Sequence, residues 1–134
     1  MFKVFLVEDE IVVREGIRNN IHWEQYGFIY AGDASDGELA LPLIRQIQPD
    51  LLITDIKMPF MDGLALIELI RKELPRIKIV IVSGYDDFSY AQQAISMGVE
   101  QYLLKPIAKE KMVEALIALQ SKMEAEQQQQ EYIA

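Results

Sequence analysis

The segment LLITDIKMPFMDGLALIELIRKEL, residues 51–74, predicts one strand, one loop and one helix. Its first four residues form a nearly continuous apolar run, which suits a parallel strand covered by helices on both faces. Asp55 follows this strand directly, and Gly63 begins the helix. The helix is predicted because apolar residues recur at spacings of three and four, which places them on one face: Leu66, Ile67, Ile70 and Leu74.

The same order of strand and helix recurs along the chain. Further β-rich segments lie at residues 3–7, 28–34, 77–83 and 101–105, and a helical apolar pattern follows each of them. The segments VFLV and IKIVIVS are nearly as continuously apolar as LLIT. Five strand-then-helix units with short connections predict a doubly wound α/β fold, in which five helices cover both faces of a five-stranded parallel sheet.

The composition is that of one acidic, globular domain. The chain has 134 residues, of which 51% are hydrophobic and 25% charged, and its 21 acidic and 13 basic side chains give a net charge of −8. Because an acidic surface repels phosphate backbones, we expect no direct nucleic-acid contact by this segment. The sequence contains neither a signal-peptide pattern nor an apolar run long enough to cross a bilayer, so we expect a cytoplasmic protein without membrane contact.

The inventory of metal-binding side chains is narrow. Cysteine is absent and His22 is the only histidine. These counts exclude disulfides, thiolate metal sites and sites that need two imidazoles. A metal site in this chain must therefore use oxygen ligands, which favours Mg²⁺.

Polar residues stand at or just after the ends of four predicted strands: Glu8, Asp9, Glu10, Asp55, Ser83 and Lys105. In open α/β sheets, ligands bind outside the carboxyl ends of the strands. Taken singly, each residue could be a helix N-cap or a solvated loop residue. Taken together, they form a cluster of carboxylates that repel one another and need a cation. An amine and a hydroxyl, which can bind an anion, lie beside these carboxylates. The pattern indicates a phosphoryl site with Mg²⁺ and a carboxylate as the possible nucleophile.

Four motifs give the chain its resemblance to a known family: VEDE at 7–10, ITDIKMPFMDG at 53–63, VSGY at 82–85 and YLLKP at 102–106. With these motifs in this order, the chain resembles the receiver domain of bacterial two-component response regulators, which has a flavodoxin-like fold. The segments IHWEQYGF and SGYDDFSYAQQAISMGVEQYLLKPI further resemble the YesN-like regulators, whose receivers are attached to AraC-type DNA-binding domains.

The resemblance implies a phosphoacceptor, a metal site and two tuning positions. Asp55 would take a phosphoryl group from a sensor histidine kinase. Mg²⁺ would be held by Glu8, Asp9, Asp55 and the main-chain carbonyl of Lys57, with Asp9 as a direct ligand and Glu8 acting through water. The side chains of Lys57 and Tyr85 would flank the path of the hydrolysing water and tune the lifetime of the phosphorylated form.

The resemblance also implies how the switch works. Lys105, aimed by a cis peptide to Pro106, would pair with one phosphoryl oxygen, and Ser83 would move to bind another. Tyr102 would then turn inward behind the serine. The face formed by the fourth helix, fifth strand and fifth helix would transmit the change and commonly mediates homodimerisation in the family. Such a domain is a switch and not an enzyme that turns over a substrate.

The implied organisation is a receiver domain at 1–123, followed at 124–134 by a helix end or a linker toward an absent C-terminal output domain. A stand-alone receiver that acts only through protein contacts stays open as an alternative. An aspartyl-phosphate phosphatase is disfavoured because its second acid, two residues after the nucleophile, is replaced by Lys57. A flavodoxin-like cofactor binder is disfavoured because the loop after the first strand, VEDEIVV, would repel phosphate.

Overall fold

Strands and helices alternate along the chain in the computed structural model, which describes residues 1–84 and 88–133. A short 3₁₀ helix, Trp23–Tyr26, lies before the second strand. The strands and α-helices are β1 (Phe2–Val7), α1 (Ile11–Asn20), β2 (Phe28–Ala34), α2 (Gly37–Ile47), β3 (Leu51–Thr54), α3 (Gly63–Glu73), β4 (Lys78–Ser83), α4 (Phe88–Ser96), β5 (Gln101–Leu104) and α5 (Lys109–Ile133).

All five strands are parallel and lie in the order β2-β1-β3-β4-β5. This arrangement confirms the predicted doubly wound sheet with five helices. The bounds of β2 and β3 agree with the sequence patterns, and β1, β4 and β5 differ from them by one residue at one end. Because the strands are parallel, the carboxyl ends of β1, β3, β4 and β5 meet at one edge of the sheet.

Neighbouring strand residues point into two separate cores. Phe5 and Leu52 pack on one face of the sheet with buried residues of α2, α3 and α4. Val4 and Leu51 pack on the other face with buried residues of α5 and with the segment that follows α1. The strands are nearly continuously apolar because both of their faces are covered.

Helix α5 extends beyond the point where its apolar periodicity stops. The pattern in the sequence reaches Met123, whereas residues 124–133 are also helical. An ion pair supports this second half, since Lys78 Nζ at the start of β4 lies 2.8 Å from Glu126 Oε2 and 3.8 Å from Glu100 Oε1. No helix within the described residues is both long and apolar enough to cross a membrane.

The start of α3 packs directly against the peptide of Asp55. A Cβ atom added to Gly63 would meet the Asp55 carbonyl oxygen at 1.9 Å, well inside van der Waals contact. The Gly63 N–H donates a hydrogen bond of 2.7 Å to the Ile56 carbonyl, and the Asp62 carboxylate caps α3 by accepting one from Ala65 N at 2.8 Å. The glycine therefore brings α3 close to the end of β3.

We expect Gly63→Ala to lower the free energy of unfolding by at least about 2 kcal/mol, because the new methyl group can be accommodated only by moving main chain. Urea denaturation followed by circular dichroism measures this change. Gly16→Ala in α1 is the control: its Cβ would have 3.8 Å to the nearest atom, and alanine in a helix should raise stability by up to about 1 kcal/mol. Equal effects of the two variants would contradict the steric argument.

Candidate functional site

The ends of four adjacent strands bring the predicted polar residues to one edge of the sheet. Asp55 N donates a 3.0 Å hydrogen bond to the Val7 carbonyl, which joins the end of β3 to the end of β1. Lys105 N donates a 2.8 Å hydrogen bond to the Ser83 carbonyl, which joins the residue after β5 to the end of β4. Glu8, Asp55, Ser83 and Lys105 therefore lie side by side because of the strand order alone.

The ammonium group of Lys105 is the centre of this site. Its Nζ lies 2.6 Å from Glu8 Oε1, 2.9 Å from Asp55 Oδ2 and 3.5 Å from Glu10 Oε1. The peptide bond between Lys105 and Pro106 is cis. One ammonium group thus forms ion pairs with three carboxylates, which come from the loops after β1 and β3.

Glu8 is a buried acid with an unusual protonation equilibrium. Burial is the largest cause that raises its pKa, to about 7, and the charge of Asp55 adds to the rise, while Lys105 and the main-chain N–H of Glu10 oppose it. That N–H donates a 2.9 Å hydrogen bond to Glu8 Oε2. Oε1 is buried, and despite the nearby ammonium no described residue gives it a hydrogen bond of good geometry.

Asp55 has two oxygens in different environments. Oδ1 accepts a 2.7 Å hydrogen bond from Ile56 N, and Oδ2 faces Lys105. Burial raises the pKa of Asp55; the Lys105 ammonium opposes this shift and the charge of Asp9 adds to it. For Lys105 itself, burial acts to lower the pKa, but Glu8 and Asp55 together raise it above its ordinary value. The lysine is therefore charged at neutral pH.

A group of carboxylates beside Lys105 has the spacing of a cation site. The carboxylate oxygens of Glu8, Asp9 and Glu10 lie within 4.8 Å of one another. Of the predicted metal ligands, Glu8 and Asp9 belong to this group. Asp55 lies close enough for Asp9 to affect its pKa. The donors are hard oxygens, and Glu8 Oε1 is buried without a well-directed hydrogen bond, so the donor set fits Mg²⁺.

The remaining predicted residues lie around this centre. Ser83 is fully buried at the end of β4, and Tyr102 is half-buried on β5, where it packs against the core on the side of α2, α3 and α4. Lys57 is exposed, and its ammonium lies 5.1 Å from the centroid of the Tyr90 ring on α4, within cation–π range. Tyr85, predicted to tune the site, lies outside the described residues.

Two residues at the site were not assigned a role from the sequence. Glu10 belongs to the carboxylate group and contacts Lys105, and its position in the acidic run VEDE was the available signal. Arg14 on α1 donates a 2.7 Å hydrogen bond from Nη1 to the main-chain carbonyl of Glu8. A side chain that binds a main-chain carbonyl six residues earlier leaves no pattern in a single sequence.

Comparisons with known proteins agree with this geometry. The family model of the response regulator receiver domain matches residues 4–117. The chain is 38% identical over 116 residues to the uncharacterized transcriptional regulatory protein YesN of Bacillus subtilis, which covers 87% of this chain and 32% of that protein. It therefore spans about a third of the length of this curated relative.

Solved structures that are similar to this chain also belong to response regulators. The REC domain of AraT, a response regulator from Geobacillus stearothermophilus, has a TM-score of 0.89 and 41% identity over 94% of this chain and 98% of that one. A two component transcriptional regulator AraC from Clostridium phytofermentans has a TM-score of 0.84 and 30% identity over 96% and 99% of the two chains. Because the family model matches residues 4–117 and these relatives are similar over most of the chain, the chain belongs to the response regulator receiver domain family.

Proposed function

We propose that this receiver domain is a phosphorylation switch in which the Asp55 carboxylate accepts a phosphoryl group from a sensor histidine kinase. One observation carries the proposal. The Asp55 side chain is 5% exposed, and its Oδ2 lies 2.9 Å from the Lys105 ammonium at the carboxyl edge of the sheet. A buried carboxylate beside a fixed cation suits phosphoryl transfer, because the cation is already in place where negative charge develops.

Oδ2 of Asp55 is the oxygen to which we assign the attack on phosphorus. Oδ1 accepts the main-chain hydrogen bond from Ile56, which fixes the orientation of the carboxylate. Burial raises the pKa of Asp55, which makes the ionised carboxylate a better nucleophile than an exposed one. Lys105 then holds the phosphoryl oxygens by charge-assisted hydrogen bonds.

The residues that would hold Mg²⁺ are Glu8, Asp9, Asp55 and the main-chain carbonyl of Lys57, and Glu10 is a further carboxylate within the same group. When bound, Mg²⁺ offsets the negative charge of both the carboxylate and the phosphoryl oxygens. The proposal is supported by the charge balance, since the single ammonium of Lys105 faces several carboxylates.

Phosphorylation would shift the protein between two conformations. Ser83 and Lys105 would bind phosphoryl oxygens in the active form, and Tyr102 would turn toward the space left behind Ser83. Moving an equilibrium from mostly inactive to mostly active needs a differential interaction of about 5.5 kcal/mol. Two hydrogen bonds to charged groups at the upper end of about 1.5–3 kcal/mol each, or three near the middle of that range, supply this amount.

The output of the switch would be transcription. The matched relative and one structural neighbour are described as transcriptional regulators, and the chain spans only part of the relative's length. We infer that this domain controls an attached AraC-type DNA-binding domain, through a homodimer formed by α4, β5 and α5. Ile95 on α4 and Leu104 on β5 are 72% and 47% exposed and give this face apolar surface. The net charge of −8 argues against DNA contact by the receiver itself.

The phosphoacceptor assignment predicts that Asp55→Asn abolishes labelling by acetyl phosphate, because an amide cannot act as the nucleophile. Intact-protein mass spectrometry, with and without Mg²⁺, should detect a single Mg²⁺-dependent phosphoryl adduct on the wild type and none on the variant.

Asp62→Asn is the matched control. Asp62 belongs to the same loop but caps α3, and asparagine is an equally good N-cap. This variant should be labelled as the wild type is. An adduct on Asp55→Asn at the wild-type rate would assign phosphorylation to a different residue.

The raised pKa of Glu8 predicts a pH-dependent metal affinity. Below a pH of about 7 the metal-free protein carries a proton on Glu8, and a cation must displace that proton to bind. We therefore expect the Mg²⁺ affinity to fall by up to about tenfold for each pH unit below 7. Isothermal titration calorimetry between pH 5.5 and about 8 measures this slope.

Glu8→Gln is the diagnostic variant, since glutamine keeps the shape of the side chain but does not titrate. It should bind Mg²⁺ more weakly at pH 8, roughly the upper limit of the titration range, and show a flatter pH profile. A profile as steep as that of the wild type would assign the proton to another acid.

A further inference from the structure

Arg14 holds the main chain of the acidic loop that follows β1. Its guanidinium donates a 2.7 Å hydrogen bond from Nη1 to the carbonyl oxygen of Glu8. Its own main-chain N–H donates a 2.9 Å hydrogen bond to the carbonyl oxygen of Glu10. One residue of α1 therefore binds the loop at two carbonyls, on either side of Asp9.

The guanidinium of Arg14 is itself held in place. Its Nε lies 3.8 Å from Asp33 Oδ1, and the two side chains are only 17% and 22% exposed. Asp33 on β2 also accepts a 2.9 Å hydrogen bond from the Tyr30 hydroxyl and lies 3.3 Å from Arg18 Nη1. Asp33, which the Tyr30 hydroxyl holds in place, thus limits the positions available to the Arg14 side chain, whereas Arg18 pairs only with the other oxygen of Asp33.

We propose that Arg14 is a positioning residue for the cation site: its hydrogen bond to the Glu8 carbonyl fixes the peptide that carries Asp9. This inference rests on the proposed function in so far as the cation is Mg²⁺. It adds a residue that neither touches the cation nor belongs to the carboxylate group.

The physical reason is the planarity of the peptide bond. The Glu8 carbonyl and the Asp9 N–H belong to one rigid plane, so a donor that fixes the carbonyl also fixes the direction in which the chain enters Asp9. The Glu8 N–H is bound to the Ala34 carbonyl at 3.0 Å, so that both sides of Glu8 are anchored. Groups that orient metal ligands in this way typically contribute tenfold to a hundredfold to the affinity for the metal.

Removing the Arg14 guanidinium should change the Mg²⁺ affinity in opposite directions, depending on whether the guanidinium acts by its charge or by positioning the loop. A guanidinium close to a cation site repels the incoming cation, so its loss should by itself strengthen Mg²⁺ binding. If the hydrogen bond to Glu8 organises the loop, its loss should instead weaken binding. The sign of the change therefore distinguishes the two roles.

The experiment compares Arg14→Gln, Arg14→Lys and Arg18→Gln with the wild-type chain. Arg18→Gln is the matched control, because Arg18 also pairs with Asp33 but does not bind the acidic loop. Calorimetric titration with MgCl₂ gives the dissociation constants. Hydrogen–deuterium exchange of residues 7–11 in the metal-free protein reports loop order directly, since the Glu10 N–H is bound to Glu8 Oε2.

We expect Arg14→Gln to weaken Mg²⁺ binding about tenfold and to speed exchange in residues 7–11. Arg14→Lys, which keeps one donor, should recover part of both losses. Arg18→Gln should leave the affinity within about twofold of the wild type.

Unchanged or tighter Mg²⁺ binding by Arg14→Gln would overturn the inference, and so would an equal loss in Arg18→Gln. A wild-type chain that binds no Mg²⁺ would instead count against the proposed function. In that case the exchange comparison, which needs no metal, still decides whether Arg14 orders the loop: unchanged exchange in Arg14→Gln overturns the inference.

Discussion

The ion pair that joins Lys105 to Glu8 and Asp55 is the interaction on which the site depends. All three groups are largely withdrawn from water, with side chains 15%, 1% and 5% exposed. Removing one partner of such a buried pair leaves an uncompensated charge, at a cost of about 3–5 kcal/mol. The Lys105 side chain has to span two strand spacings to reach Asp55, because β4 lies between β3 and β5 and neighbouring strands are about 4.8 Å apart. The long lysine side chain has to pass the end of β4, where the residue is the small, buried Ser83.

This constraint explains why so much of the fold and site could be predicted from the sequence. Continuous apolar strands indicated a sheet covered on both faces, and a parallel sheet brings the ends of its strands to one edge. The position of Asp55, Glu8 and Lys105 directly after their strands was therefore sufficient to predict that they meet. Their mutual distances could not be predicted in the same way, because they depend on the order of the strands in the sheet and on the direction of each side chain.

Features that depend on the main chain, or on residues far apart in sequence, could not be predicted in this way. The bond from Arg14 to the Glu8 carbonyl uses an acceptor that every residue possesses, so residue types carry no signal for it. The helical continuation of α5 past Met123 is supported by a pair between Lys78 and Glu126, which are unrelated in sequence pattern. Apolar residues of one helix also differ in burial: Leu39 of α2 is 56% exposed, whereas Ile44 of the same helix is fully buried.

Under the proposed function, the same ammonium has to change partners during switching. Lys105 now pairs with two buried carboxylates, and a carboxylate that loses it needs a proton or another cation in its place. A cation held by Glu8 and Asp9 would take over the charge of Glu8, and Lys105 would then be available to the oxygens of a phosphoryl group on Asp55. The geometry of the acidic loop would therefore be part of the switch, because a loop that did not direct Asp9 toward the cation would leave Lys105 bound to Glu8. Under this proposal, metal binding and the response of β5 to phosphorylation would be coupled through one side chain. Because such coupling is reciprocal, each event would favour the other.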